Sequence, residues 1–194
     1  MRAAGTAPTR RQLLGGLALG LAGPAGAAWA KSAPVQSGGD AEVLRRMLEV
    51  EQFAVFAYRR ALASGTLSMR AKPVVGLILG HEQEHVRMLV RALAARGGGF
   101  PVLPDCGRAG SRPGTVNPCE LHSQKESLSL LLDVEEACEA VYYHGLSKLR
   151  DPGLARTGSQ IMAAEAQHAA ALSGLLHPGQ ISRAVPDAFV EGKT

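Results

Sequence analysis

The chain has 194 residues and a formal net charge of +4, with 46% hydrophobic, 20% charged and only 4% aromatic residues. That length fits one domain of ordinary size rather than two, and a composition rich in Ala and Gly but poor in aromatics argues against a β-sandwich or barrel. Three of the 21 basic residues and none of the 17 acidic ones fall within residues 1–30, so the remainder is close to neutral and offers nucleic acid neither a basic stripe nor a stacking platform.

The first thirty residues read as an export signal. Arg10-Arg11 precede a mildly apolar run from Leu17 to Ala22, which leads through Gly23-Pro24 to Ala28-Trp29-Ala30. This is the three-part layout of a secretory signal, and the paired arginines resemble those of a twin-arginine signal, with cleavage expected after Ala30. The resemblance implies the twin-arginine export machinery as a partner and a periplasmic or extracellular destination. It also implies export of an already folded chain, a route that suits proteins loaded with a cofactor before crossing. The alternative is an uncleaved membrane anchor from Leu13 to Ala30, which the five glycines and Pro24 of that stretch disfavour.

A Ser/Gly/Pro-rich linker, residues 31–40, leads into four segments of helical periodicity spanning 41–178. The first runs from an N-cap at Asp40 to Ala63 and stops at Ser64-Gly65. The second runs from about Ser68 to Arg96, tolerates Pro73 near its start and ends at Gly97-Gly98-Gly99. The third opens on the capping box Ser123-Gln124-Lys125-Glu126 and reaches Arg150. The fourth begins Asp151-Pro152, N-cap then N1 proline, and stops at His177-Pro178-Gly179, leaving 179–194 as a tail. Short turns join the first helix to the second and the third to the fourth, making two antiparallel hairpins. About 25 residues separate the hairpins, enough to run the length of a helix, roughly 38 Å, and to leave the second and third helices parallel. The expected fold is all-α: a four-helix bundle of two helical hairpins joined by one long crossover.

The two hairpins are copies of one another. Leu48-Glu49-Val50-Glu51-Gln52 through Tyr58 and Leu62 matches Leu132-Asp133-Val134-Glu135-Glu136 through Tyr142 and Leu146 at an offset of 84, and Glu82-Gln83-Glu84-His85 matches Glu165-Ala166-Gln167-His168 at 83. Each half thus supplies a Glu, a Tyr two turns later, and a Glu-x-x-His on its second helix. Glu51 lies on an apolar stripe of Leu44, Met47, Leu48, Val55, Tyr58 and Leu62; Glu135 lies on one of Leu128, Leu131, Cys138, Tyr142 and Leu149. Counted from the hairpin turns, all four glutamates stand at one level. Four buried carboxylates would repel or take up protons unless cations held them, and two divalent metals would neutralise them.

This arrangement of Glu, Glu-x-x-His, Glu, Glu-x-x-His on successive helices resembles the ferritin-like di-iron or di-manganese carboxylate proteins, especially the bacterioferritin and rubrerythrin branch. The resemblance spans about residues 41–177. It implies a ferritin-like bundle with two divalent metal ions, iron first and manganese second, held by Glu51, Glu82, His85, Glu135, Glu165 and His168; which carboxylates bridge stays open. It further implies Tyr58 and Tyr142 beside the metals as hydrogen-bond or electron donors, and redox chemistry with dioxygen or hydrogen peroxide. Glu139, one turn beyond Glu135 where the first half has Val55, is an extra carboxylate that reads as an added ligand, a proton relay or a solvated residue. The chain departs from rubrerythrins in lacking paired Cys-x-x-Cys motifs. Cage assembly is not legible, and the oligomeric state stays open, a dimer included.

Other readings compete with an oxidoreductase: a di-manganese enzyme disproportionating peroxide, a metal-binding or stress-protective bundle without turnover, or a relic whose carboxylates and histidines only hydrogen-bond across the core. His81, His122, His144 and His177 have no partner in the repeat and are expected at the surface. Cys106 and Cys119 lie in the crossover and are expected to pair in an oxidising compartment, leaving Cys138 a buried thiol. His122 alone is too little to complete a zinc site there.

Overall fold

The computed structural model describes residues 39–109 and 116–185; the export segment, nearly all of the linker and the last nine residues of the tail lie outside them. Four long helices carry the fold: α1 (Asp40–Ala63), α2 (Ala71–Ala94), α4 (Gln124–Leu146) and α5 (Pro152–Leu176), with a single turn, α3 (Cys106–Ala109), in the crossover. Among the described residues there is no strand, and no helix is long and apolar enough to cross a membrane.

Contacts at the helix ends fix the topology. The backbone N–H of Ser68, just before α2, donates to Gln124 Oε1 at 2.7 Å, so α2 and α4 start at the same end and run parallel. Thr66 and Ser127 hydroxyls meet at 2.6 Å there. At the other end Arg96 bonds Asp151 at 2.5 Å, placing the end of α2 beside the start of α5. The backbone N–H groups of Arg150 and Asp151 reach Asp40 at 2.7 and 3.1 Å, so α1 begins where α4 ends. Along that antiparallel pair Gly145 lets α4 come close to α1: a Cβ there would stand 2.7 Å from Met47 Cε.

Several helix ends differ from expectation for local reasons. Gly39, not Asp40, precedes α1, because the Asp40 carboxylate is engaged with the turn between α4 and α5. That engagement also shortens α4: the chain tightens into i→i+3 bonds at Lys148 and Leu149, and Arg150 N–H goes to Asp40 rather than along the helix. The start of α2 is Ala71, with the Ser68 hydroxyl accepting from Ala71 N–H at 3.3 Å. Ser123 caps α4 as expected, accepting from Glu126 N–H, but Glu126 reaches back to His122 N–H instead of to Ser123. Asp151 caps α5 by accepting from Gly153 and Leu154. Gly97 takes a φ of 64° where α2 stops, the left-handed conformation that favours glycine. The expected tail begins with a 3₁₀ turn, Ile181–Arg183, held by the Ser173 hydroxyl on the Arg183 carbonyl at 2.6 Å.

The core divides into two apolar layers. One comprises Leu44, Met47, Leu48, Leu89, Leu93, Tyr142 and Ile161; the other includes Ala54, Ala57, Tyr58, Ala61, Val75, Ile78, Leu128, Leu131, Cys138 and Leu172. Burying each large aliphatic side chain stabilises the bundle by about 1.5–3 kcal/mol. On α1, α2 and α5 the candidate glutamate lies in sequence between the two layers; on α4 Glu135 precedes Cys138 of the second layer and Tyr142 of the first. Val55, Leu62 and Leu149, expected on the stripes, are only half-buried; Ala54, Ala57 and Ala61 face inward on α1 instead, where small side chains fit between packed helices.

Cys106 and Cys119 form a disulfide with Cα atoms 5.9 Å apart, and Cys138 is a buried free thiol. Arg60 ties this end of the crossover to α1 by donating to the Pro118 and Cys119 carbonyls at 3.4 Å. Replacing both bridged cysteines with serine is expected to lower stability by about 2–3 kcal/mol, as chain entropy requires for a short loop. Thermal unfolding reads this loss, and thiol titration of denatured wild-type protein should find one free cysteine. Three free thiols in exported protein would refute the pairing.

Candidate metal centre

Each half places its side chains by the same helical spacing. Glu51 on α1 and Glu135 on α4 lie inward between the apolar layers; Glu82 on α2 and Glu165 on α5 do so one turn before His85 and His168. All four glutamates are 0% exposed, and His168 is 4% exposed. Glu136, next to Glu135 in the chain, is only half-buried.

These six side chains form two overlapping groups. Glu51, Glu82, His85 and Glu165 bring one ligand atom each to within 4.8 Å of one another, and Glu82, Glu135, Glu165 and His168 do the same. Glu82 and Glu165 belong to both groups. His85 Nδ1 lies 3.0 Å from Glu165 Oε1 and 3.5 Å from oxygens of Glu51 and Glu82. His168 Nδ1 lies 3.0 Å from Glu82 Oε1, 3.1 Å from Glu165 Oε2 and 3.3 Å from Glu135 Oε2.

Closeness here is not the same as hydrogen bonding. Glu51 Oε2, both Glu82 oxygens, Glu165 Oε1 and His85 Nδ1 are buried without a hydrogen-bond partner. An unsatisfied buried polar atom costs about 1–3 kcal/mol, more when charged, so five in one place call for a ligand that accepts lone pairs. Carboxylate oxygens and imidazole nitrogens suit first-row divalent metals, and four carboxylates balance two of them in charge. The residues fit a dinuclear centre.

Without metal, the cluster balances itself with protons. Burial pushes the Glu51 and Glu135 carboxyls well above the usual range. Burial pushes Glu82 the same way, but the imidazoles of His168 and His85 overcome it and bring Glu82 down to about 2. Glu165 is likewise held low by the two imidazoles against the effect of burial. The imidazoles respond in kind: burial disfavours their charge, yet the surrounding carboxylates raise His85 to about 12 and His168 to about 11.

The tyrosines cross between the halves. Tyr58 on α1 donates to Glu135 Oε1 on α4, and Tyr142 on α4 donates to Glu51 Oε1 on α1 at 2.6 Å. Sharing a face with its own half's glutamate therefore takes each phenol to the other half's. Burial and the neighbouring carboxylates raise both phenols, so they stay protonated donors. Glu139 is half-buried and belongs to neither four-residue group.

One contributor is not marked by the repeat. His81 is exposed, as expected of it, but its Nδ1 stands 3.0 Å from His168 Nε2 and the two rings stack with centroids 5.2 Å apart. The available signal was its place immediately before Glu82, one residue from a group facing inward. His122 and His144 are exposed and His177 is half-buried.

Residues 39–178 match the family described as ferritin-like domain. The chain belongs to the ferritin-like domain family. The match spans all four long helices. No curated protein matches the chain. Among solved structures it is similar to one titled "Crystal structure of ferritin like, diiron-carboxylate proteins from Bacillus anthracis str. Ames", with 20% sequence identity and a TM-score of 0.59, covering 71% of this chain and 95% of that one. At that identity the likeness shows the four-helix ferritin-like fold.

Proposed function

We propose that this ferritin-like protein is exported and holds a dinuclear metal centre, iron first among the candidates, for redox chemistry with dioxygen or hydrogen peroxide. The observation that carries the reading is the set of partnerless buried oxygens and nitrogen converging in two groups that share Glu82 and Glu165. In this reading Glu82 and Glu165 would contribute to both metal positions, Glu51 and His85 would complete one, and Glu135 and His168 the other. Such a pair of ions, when bound, would supply electrons for reduction of dioxygen or peroxide.

The chain's own residues do the rest. Tyr58 and Tyr142 donate to Glu135 and Glu51, which holds those carboxylates in place and leaves a proton at each phenol oxygen next to the centre. Apolar layers on either side keep water out and strengthen every charge interaction between them. Metal analysis of protein purified from its native compartment, followed by ferroxidase and peroxide assays, tests the proposal. Two irons per chain with either activity supports it; manganese with peroxide disproportionation moves it to the di-manganese enzyme. Metal without turnover moves it to a protective binding role. Protein that takes up no divalent metal sinks it.

Export rests on the first thirty residues. Replacing Arg10 and Arg11 with Lys should block it, and mass spectrometry of the exported wild-type chain should find Lys31 at the N-terminus. An intact Met1 there would overturn the cleavage.

A further inference from the structure

The two halves of the centre match residue for residue in their ligands but not in what stands behind them. His168 has its Nδ1 among Glu82, Glu135 and Glu165, so its other nitrogen, Nε2, faces outward. There it meets His81 Nδ1 at 3.0 Å. A His168 ring that gave Nδ1 to a metal would carry its proton on Nε2, and His81 Nδ1 is placed to accept it. The His81 ring also lies over His168 at a centroid distance of 5.2 Å and an interplanar angle of 27°, which hinders the inner ring from turning. The repeat offers His85 no matching histidine. The residue 83 positions after His81, and so its counterpart in the repeat, is Ala164, which has no polar side chain. The His85 side chain is 12% exposed against 5% for His168.

Resting on the dinuclear reading above, we infer that His81 is a positioning residue for His168, and that it makes the Glu135–His168 position the tighter of two otherwise matched metal positions. A partner on the outer nitrogen of a ligating imidazole fixes the tautomer that leaves the inner nitrogen bare and holds the ring at one angle. Its removal typically weakens metal binding about 10–100-fold. The repeat would make the positions equal; His81 opposite Ala164 breaks the equality. Metal therefore enters the Glu135–His168 position first and the Glu51–His85 position second.

The test has a metal-free arm and a metal-bound arm. In metal-free protein, imidazole NMR should show a slowly exchanging N–H on His168 Nε2 that disappears in His81→Ala. It should persist in His81→Asn, whose side-chain oxygen can accept in place of Nδ1. A His168 signal untouched by His81→Ala overturns the pairing. Anaerobic titration with cobalt(II) alone, followed by its d–d absorption, should resolve two steps in the wild type. His81→Ala should weaken the tighter step about 10–100-fold and spare the other, and His81→Asn should restore it. The loss should vanish in a His168→Ala background and persist beside His85→Ala, as a double-mutant cycle requires of a direct pair. A loss of equal size in the His168→Ala background, or no loss at all, overturns the assignment. Circular dichroism guards against misfolding, and His81→Asn keeps the test alive if the alanine variant is unstable. A wild-type chain that takes up no cobalt fails the dinuclear reading and takes the ranking of positions with it, while the imidazole spectrum still decides the pairing.

Discussion

Glu82→Ala and Glu165→Ala should each strip the centre of both metals, whereas Glu51→Ala and Glu135→Ala should each leave one position occupied. The difference follows from membership: Glu82 and Glu165 contribute to both four-residue groups, Glu51 and Glu135 to one apiece. Taking away one partner of a buried charge pair costs about 3–5 kcal/mol, or about two to three and a half orders of magnitude in affinity at each position that loses it. Either of these two substitutions should therefore bring metal content well below two per chain and abolish reactivity with peroxide or dioxygen. The control is Glu49→Ala, two residues from Glu51 but on the outer face, where the Glu49 side chain is 62% exposed and pairs with Arg45 at 3.5 Å. That pair contributes at most about 1 kcal/mol, and its loss should leave metal content unchanged. A Glu82→Ala protein that still carries two metals would refute the assignment of Glu82 to both positions.

The readability of this site in the sequence has a physical source. A carboxylate on an apolar helical stripe is costly, so Glu51 and Glu135 stood out against Leu44, Leu48, Leu128 and Leu131; the repeat then paired each with a Glu-x-x-His at the same height. Helix spacing carries that information because i and i+3 or i+7 share a face whatever the rest of the chain does. What spacing does not carry is the contact between helices. Tyr58 shares a face with Glu51 yet bonds Glu135, since the phenol reaches across to α4. His81 carries no repeat signal and lies on an exposed position, and only the packing of α2 against α5 brings it to His168. The helix ends failed for the same reason: Asp40 has the chemistry of an N-cap, but a turn 110 residues away holds its carboxylate. Glu139 shows the converse, a carboxylate one turn from Glu135 that packing leaves outside both groups.

Loading the centre near neutral pH should release protons into solution, up to about four per chain. Metal-free, Glu51 and Glu135 hold protons because burial raises them, and His85 and His168 hold protons because the carboxylates raise them to about 12 and about 11. Two divalent ions bring the same positive charge that these four protons supply, so the exchange leaves the buried cluster neutral. Affinity must then rise steeply with pH, tenfold per unit for each proton displaced. Stability of the metal-free protein runs the other way. The stabilisation from the two imidazolium groups is full below the ordinary histidine value and fades as pH rises toward their folded values. Glu51 and Glu135, kept neutral when folded but ionised when unfolded, increasingly favour the unfolded chain above the ordinary carboxylate value. Glu82, lowered to about 2, and Glu165, also held low by the imidazoles, contribute in the opposite sense, and their contribution is already complete above the ordinary carboxylate value. The gap in melting temperature between metal-loaded and metal-free protein should accordingly widen from about pH 5.5 to about pH 8. Calorimetric titration in buffers of different ionisation enthalpy counts the protons, and scanning calorimetry reads the gap. Metal uptake with no proton release, together with a gap that does not change over that range, would mean that the carboxylates are already ionised and stabilised by something other than the imidazoles and their own protons.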